Sequence, residues 1–366
     1  MRRLELLDYG RFFAAVIVVF FHYTFNGIAN GKIESLKHVD SLIEFTKYGY
    51  LGVELFFMIS GFVIFNSAKN RTPAEFALSR AIRLYPSYWF AVIFTSLFAW
   101  YWGGDLMSVT PSQIMMNFTL LQNYLSIDHV DGVYWTLVYE VKFYALVFFL
   151  LIIGLKNHLN QLFMLWPIAM LGAFITGHDD LPYLGGYFYY FSAGALFALL
   201  QIDKSLKNIL SIIISFGLGL LYSTEQALVK SESMGVVFSE YIVGLIIICF
   251  FAFFIFMNTQ KAQSLTLPLS KTLGALTYPV YLIHAHFGYM FISKYGTEEN
   301  KFFIYIVTIS IVLSVSYFMY RVIEVRLSTV WRRMFMSTLY ELIIKIQCLP
   351  NKVVNVFNKL ANASLK

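Results

Sequence analysis

Residues 12–25 read FFAAVIVVFFHYTF, a long apolar run entered directly from Arg11 and interrupted by His22. Its length and composition suit a membrane-embedded helix, and that reading sets the fold. Ten residues separate Arg11 from His22. On an α-helix this offset is about three turns, so both side chains share one stripe, roughly 16 Å apart along the axis. A basic anchor at the membrane edge is thus aligned with an imidazole deep in the span. Ionisable groups inside a bilayer cost roughly 2.5–3.5 kcal/mol each on insertion scales, so they seldom stand there without a task. The structural alternative is a histidine satisfied by a neighbouring helix.

The rest of the chain agrees. Hydrophobic residues make up 58% of it, charged residues 13%, and the mean hydropathy is +0.66. Soluble domains carry about 25% charged residues. The expectation is an all-α, polytopic membrane protein without a separate soluble domain. Apolar runs fall at 10–27, 50–68, 85–102, 134–154, 160–177, 183–201, 207–223, 236–257, 274–294 and 302–320, of which the fifth and seventh are the weakest. Each approaches the ~20 residues that a hydrocarbon core requires. About ten helices result, and an even number leaves both termini on one side.

The charges orient the bundle. Arg2, Arg3 and Arg11 open the chain, and Lys69, Arg71, Arg80 and Arg83 crowd the connection after the second run. Lys204, Lys207, Lys261 and Lys271 occupy alternate later loops, and Arg321, Arg326, Arg332 and Arg333 begin the tail. The long loop at 103–133 has no Lys or Arg but carries Asp105, Asp128 and Asp131. The positive-inside rule places both termini in the cytoplasm. The net charge of +6 follows from that bias and does not call for a nucleic-acid partner. No cleavable leader is expected, because the first run lacks a small-residue cleavage site. Cys249 falls in a span and Cys348 in the tail, a distribution that argues against a structural disulfide. The chain divides into a transmembrane domain, 1–326, and a tail, 327–366. In the tail Leu339, Leu342, Ile343 and Ile346, then Val353, Val354, Phe357 and Leu360 beyond Pro350, suggest two interfacial helices.

Depth along the helices selects the polar groups that can meet. His22, Glu140 on the fourth span and His284 on the ninth fall within about a turn of one another in depth. Together they have the parts of a general acid–base site. His286 points roughly 200° away from His284 on a regular helix, so the two are not expected to share a site. Glu54 lies nearer the outer mouth, where it serves either the site or the hydration of that end. Ser60 and Gly61 allow close helix packing or contribute to the site, and Trp135 reads first as an interfacial belt aromatic. On the cytoplasmic face Arg80 and Arg83, three apart on one helix, stand level with Arg11. Positive-inside retention alone explains arginines there, yet such a pair is also suited to hold phosphate bidentately.

In sum these segments resemble the acyltransferase-3 family of integral membrane acyltransferases. LDYGRFFAAVIVVFFHYTF, with Asp8, Arg11 and His22, is similar to the family's first helix and its Arg/Lys–ten residues–His motif. GVELFFMISGFVIF carries an FFxxSGF segment, SRAIRLYPSYW the basic loop, and YWTLVYEVKFY the Trp–Thr–Leu…Glu block. LTYPVYLIHAHF, with Tyr281 and His284, resembles the late Tyr–Leu–x–His helix, and YRVIEVRL with Glu324 the closing segment. The motifs occur in the family's order over residues 4–326. Asp-Tyr-Gly-Arg stands where the family often has Asp-Gly-Leu-Arg, and His286 where many members have proline. No esterase-like domain follows, as in the stand-alone branch.

The resemblance implies O-acyl transfer, usually of acetyl, from acyl-CoA to a carbohydrate hydroxyl of exopolysaccharide, capsule or lipopolysaccharide, in a bacterial inner membrane. Acyl-CoA is then a co-substrate, and no permanently bound cofactor or metal is expected. Arg11, Arg80 and Arg83 would hold the CoA phosphates. His22 would act as general base or carry the acyl group, with Glu140 and His284 beside it. Ser60, the Gly61 N–H or His284 would stabilise the oxyanion. Asp8, Glu54, Trp135 and Tyr281 would support the site. The competing class is a transporter or flippase for a lipid-linked glycan, which would show inverted repeats and interrupted helices in matching positions.

Overall fold

The computed structural model describes residues 4–347, and among these every regular element is helical. Helix α1 (Glu5–Phe21) runs on through a π turn, His22–Asn26, to Ala29. Then come α2 (Gly52–Lys69), α3 (Pro73–Trp102), α4 (Trp135–Ile152), α5 (Leu159–Ile175) and α6 (Phe188–Leu200). Helices α7 (Leu206–Met234), α8 (Glu240–Met257), α9 (Ser270–Ile283), α10 (Ala285–Tyr295), α11 (Lys301–Phe318) and α12 (Ser328–Phe335) complete the α-helices of eight or more residues among those described. Seven helical segments among the described residues are long and apolar enough to cross a membrane. The fifth and seventh runs are among these seven, as Leu155–Ile175 and Leu206–Met234.

The other three runs are helical in different ways. Run 85–102 is the apolar part of α3, whose first turns carry Arg80 and Arg83. Its start is fixed by a capping box: Thr72 Oγ1 accepts from the Glu75 amide at 3.3 Å, and Glu75 Oε2 accepts from the Thr72 amide at 2.9 Å. Run 183–201 yields only the 13 residues of α6, about 20 Å of helix against a core of ~30 Å. The shortfall is tolerated because protein, not lipid, surrounds α6: twelve of its residues are buried. Run 274–294 breaks into α9 and α10 at His284.

Helix–helix packing in a bilayer depends on close approach, and α2 and α6 show how. A Cβ added to Gly61 would run into the carbonyl of Phe191, and one added to Gly194 into the carbonyl of Met58. Around this pair, with α7 and α8, lies one large apolar cluster. A second is built on α1, α3, α9, α10 and α11. The polar site lies where the two meet. Of the tail, Phe335 and Trp331 pack on Leu78, Ala81 and Trp89 at the start of α3. The expected second tail helix, with Val353, Val354, Phe357 and Leu360, lies outside the described residues, as does Cys348. Cys249 is a free, exposed thiol on α8.

Candidate active site

Two cavities lie back to back between the clusters. The first, about 240 Å³, opens among Arg11, Arg80 and Arg83 and is lined deeper by Ser60, Glu140, Tyr144 and Tyr278. Its three guanidinium groups are not equivalent. Arg83 forms an ion pair with Glu324 at 3.0 Å, and Ser87 Oγ donates to the other Glu324 oxygen at 2.8 Å. Glu324 reaches Arg83 from a π-helical segment, Met319–Arg326, that follows α11. Arg11 stands 3.9 Å from Asp8. Arg80 makes no ion pair among the described residues; it donates to Ser79 Oγ and lies 5.7 Å from the Tyr144 ring. Such a mouth suits an anionic ligand, and Arg80 is its uncommitted cation. Glu140 accepts from Ser60 Oγ at 3.3 Å and from the Tyr144 hydroxyl.

The second cavity, about 250 Å³, is lined by His22, Asn26, Lys32, Trp135, Lys230 and His286 among others. The two cavities share Val53 and Tyr281 as lining residues. The Tyr281 hydroxyl is fixed in this partition by Thr136 Oγ1 at 2.8 Å and the Val133 carbonyl at 3.2 Å.

Below the partition stand two imidazoles, with His22 Nδ1 3.2 Å from His284 Nε2. Their tautomers follow from their other contacts. His284 Nδ1 faces the carbonyls of Tyr281 at 2.8 Å and Val280 at 3.2 Å, and His22 Nδ1 faces the Val18 carbonyl at 2.8 Å. Carbonyl oxygens only accept, so both Nδ1 atoms carry hydrogen. His284 Nε2 is then a bare acceptor for the forked His22 Nδ1–H. His22 Nε2 is left with its lone pair free, the state a general base or nucleophile needs. His22 opens the π turn of α1, and such insertions recur at functional sites.

Pro279 lies within α9, which continues past it to Ile283. The break at His284 has its cause in the loop before α4. The His286 amide, whose helical acceptor would be Leu282, donates to Asp131 Oδ2 at 3.0 Å. The His284 carbonyl keeps its helical bond from the Gly288 amide and also accepts from the Tyr23 hydroxyl at 2.8 Å. Asp131 is fully buried, and its other oxygen accepts from the Val133 amide at 3.2 Å. The loop that delivers it is itself tied by Asn117, which accepts from the Val130 amide and donates to the Asp128 carbonyl, both at 3.0 Å.

Because of this break, His286 lines the same cavity as His22, contrary to the regular-helix expectation that it points elsewhere. Its Nδ1–H donates to the Val130 carbonyl at 3.0 Å, so Nε2 is an acceptor. That nitrogen receives Lys32 Nζ at 2.9 Å and the Gly132 amide at 3.2 Å. Burial pulls Lys32 below the usual lysine range, with Asp131 pushing back. Burial likewise lowers His129 in the same loop system, against Asp128 and Asp131.

Of the residues singled out in the sequence, His22 and His284 are in contact, and Arg11, Arg80, Arg83, Ser60 and Glu140 share the first cavity. Glu140 bonds Ser60 and Tyr144 rather than His22; the carboxylate whose field reaches His284 is Asp131. Trp135 lines the His22 cavity instead of standing in an outer belt, with Tyr187 beside it at 5.2 Å between ring centroids. Gly61 packs on Phe191, outside both cavity linings, and Asp8 packs on Gly274. Glu54 is buried behind the second cavity. Lys32, Lys230, Asp131 and His286 escape sequence reasoning; the paired histidines of HAH were the one visible signal. Among the described residues no group of three or more His, Cys, Asp or Glu is arranged to hold a metal.

A sequence model of the acyltransferase-3 family, described as an acyltransferase domain, matches residues 4–321. No curated protein and no solved structure matches the chain. The chain, a multi-pass membrane protein, belongs to the acyltransferase-3 family.

Proposed function

We propose, from that membership, that the protein moves an acyl group, acetyl in the first instance, from acyl-CoA to a carbohydrate hydroxyl. The donor enters at the arginine cavity, with its phosphates on Arg80, Arg11 and Arg83. Its thioester reaches the partition at Val53 and Tyr281, and the acceptor occupies the His22 cavity. His22 Nε2 takes the hydroxyl proton, and the alkoxide oxygen attacks the thioester carbonyl. The C–S bond breaks, the ester forms, and the imidazolium returns its proton to the CoA thiolate. The alternative is attack by Nε2 itself, through an acyl-imidazole. The Val18 carbonyl and His284 Nε2 together hold the Nδ1–H of His22 and so keep its Nε2 unprotonated between turnovers. Of the hydroxyls paired at the partition, Thr136 donates to the Val133 carbonyl, and Tyr281 would serve the oxyanion by turning its hydrogen away from that carbonyl. We further assign the arginine end to the cytoplasm, with both termini, in a bacterial inner membrane. The donor then stays inside while a surface glycan is modified from the opposite side.

The observation that carries this reading is the 3.2 Å contact of buried His284 with His22, which lines a cavity backing onto the arginine-lined one. The test is purified protein in lipid nanodiscs with labelled acetyl-CoA and a candidate glycan. Acceptor-dependent release of CoA, abolished by His22→Ala in a correctly inserted protein, is the expected result. Glycan movement across the bilayer without CoA release would mark a flippase instead.

A further inference from the structure

The second cavity has an unusual charge. Its lining contains two lysines, Lys32 and Lys230, and no Asp or Glu. Neither lysine makes an ion pair among the described residues. Lys32 is held by the Nε2 lone pair of a neutral histidine, which orients the ammonium without cancelling its charge. Lys230 Nζ lies 4.6 Å from the centroid of the Tyr50 ring, again a partner without net charge. The carboxylates that act on the two lysines are Asp131 and Glu54. Both stand behind the lining: Asp131 accepts from two backbone amides, and Glu54 is buried. Neither carboxylate lines the cavity, so neither meets a ligand. The wall a ligand touches is therefore cationic.

The remaining lining is suited to a sugar. Trp135 and Tyr187 offer aromatic faces, and Asn26 and Asn30 offer amides that hydrogen-bond hydroxyls. A site built for a neutral sugar would gain from carboxylates, which accept hydroxyl protons; this lining has none. We propose that the acceptor is anionic, a sugar bearing a carboxylate or a phosphate, with its charge between Lys32 and Lys230. The proposal rests on the acyl-transfer reading for the role of the cavity and adds the charge of what enters it.

The test uses the full chain in nanodiscs with three probes: tetragalacturonate, the same oligosaccharide with its carboxyl groups reduced to alcohols, and galactose 1-phosphate. Binding is measured by calorimetry. At least one anionic probe should bind about tenfold or more tighter than the reduced oligosaccharide, as one charge-assisted contact allows. Tighter tetragalacturonate identifies a carboxylate ligand, and tighter galactose 1-phosphate a phosphate. Lys32→Gln and Lys230→Gln should each remove most of the preference, and Lys32→Arg should retain it. Equal binding of charged and reduced probes, no binding of any probe, or equal weakening of all of them by Lys→Gln would overturn the proposal. CoA release from acetyl-CoA is followed on the same samples. Release that ignores acceptor charge defeats this inference alone. Anion preference without any release defeats the transfer reading and leaves an anionic-glycan site.

Discussion

His284 accepts the Nδ1–H of His22 through Nε2 at 3.2 Å, while its own Nδ1–H is committed to the Tyr281 carbonyl at 2.8 Å. One histidine thus joins the Val18 carbonyl, 2.8 Å away, in holding the Nδ1–H of the other, a task a carboxylate performs in hydrolase triads. An imidazole acceptor leaves the pair neutral at rest, which lowers the cost of burying it. When His22 takes a proton, the positive charge spreads toward His284, on which the field of Asp131 acts.

Substituting His284 should therefore disable catalysis without disabling donor binding. His284→Ala removes one of the two acceptors of the His22 Nδ1–H and leaves the Val18 carbonyl as the other, so the ring loses its sideways anchor. We expect kcat to fall about 10²-fold or more, within the 10²–10⁴ range of general acid–base contributions, with KM for acyl-CoA unchanged. His284→Gln, whose amide oxygen accepts a hydrogen bond, should restore part of the rate. A parallel rise in KM, or loss of the protein from the membrane, would mark a packing role instead.

The arginines should separate into two classes. Arg80→Ala removes a cation that no carboxylate holds, so KM for acyl-CoA should rise with stability intact. Arg83→Ala also strands Glu324, which keeps only its Ser87 contact. It should cost about 1–2 kcal/mol of stability, less than the ~3–5 kcal/mol of a fully buried pair because the Arg83 side chain keeps 38% of its exposure. Arg83→Gln with Glu324→Gln should recover stability but not donor affinity. Thermal denaturation beside steady-state kinetics reads both.

The α2–α6 contact gives a stability prediction independent of chemistry. Gly194→Val places a branched side chain against the Met58 backbone, which cannot yield as a flexible side chain would. A loss of about 1–3 kcal/mol is expected, the usual cost of overpacking. Gly217→Ala, open on its helix, serves as the control and should be near neutral.

These cases mark what the sequence could and could not reveal. Apolar runs locate the helices because the bilayer imposes length and composition directly on local sequence, and the Arg11–His22 spacing reads off one helix. The contact of His22 with His284 was suggested by depth alone. The partner of Glu140 was not legible: a helix fixes the depth of a carboxylate, but which neighbour it meets depends on the rotation of α4 against α2. The position of His286 is not legible in the sequence, for a definite reason. Helical geometry holds only while the ladder holds, and here the ladder is broken by Asp131, 155 residues away in sequence. The π turn at His22 and the one carrying Glu324 likewise shift side chains by about a quarter turn, with no composition signal to announce them.

The partition between the cavities supplies another prediction. Tyr281 lines both, and its hydroxyl is pinned by Thr136 and the Val133 carbonyl. Tyr281→Phe keeps the ring but frees it from α4. If the hydroxyl also serves the oxyanion, kcat should drop by about 10²-fold, the usual effect of removing one such donor. Hydrolysis of acyl-CoA without acceptor should rise as the partition loosens. A variant with unchanged kcat and unchanged hydrolysis would reduce Tyr281 to a spacer.

Lys32 gives the final prediction, and its sign follows from its surroundings. From α10 it faces His286, from the turn before α4 Asp131 and Gly132, from α1 His22, and across the cavity Lys230. Burial draws its pKa below the ordinary lysine value, against the opposing pull of Asp131. The cation exists below that lowered pKa and is lost as pH rises through it, earlier than for an exposed lysine. Preference for an acidic over a neutral acceptor should therefore decline as pH rises, at lower pH than an exposed lysine would give, leaving the share due to Lys230. Lys32→Arg should hold its preference to higher pH, since guanidinium does not titrate there. The measurement is the ratio of kcat/KM for acidic and carboxyl-reduced acceptors against pH. An identical decline in wild type and Lys32→Arg would assign the effect to another group.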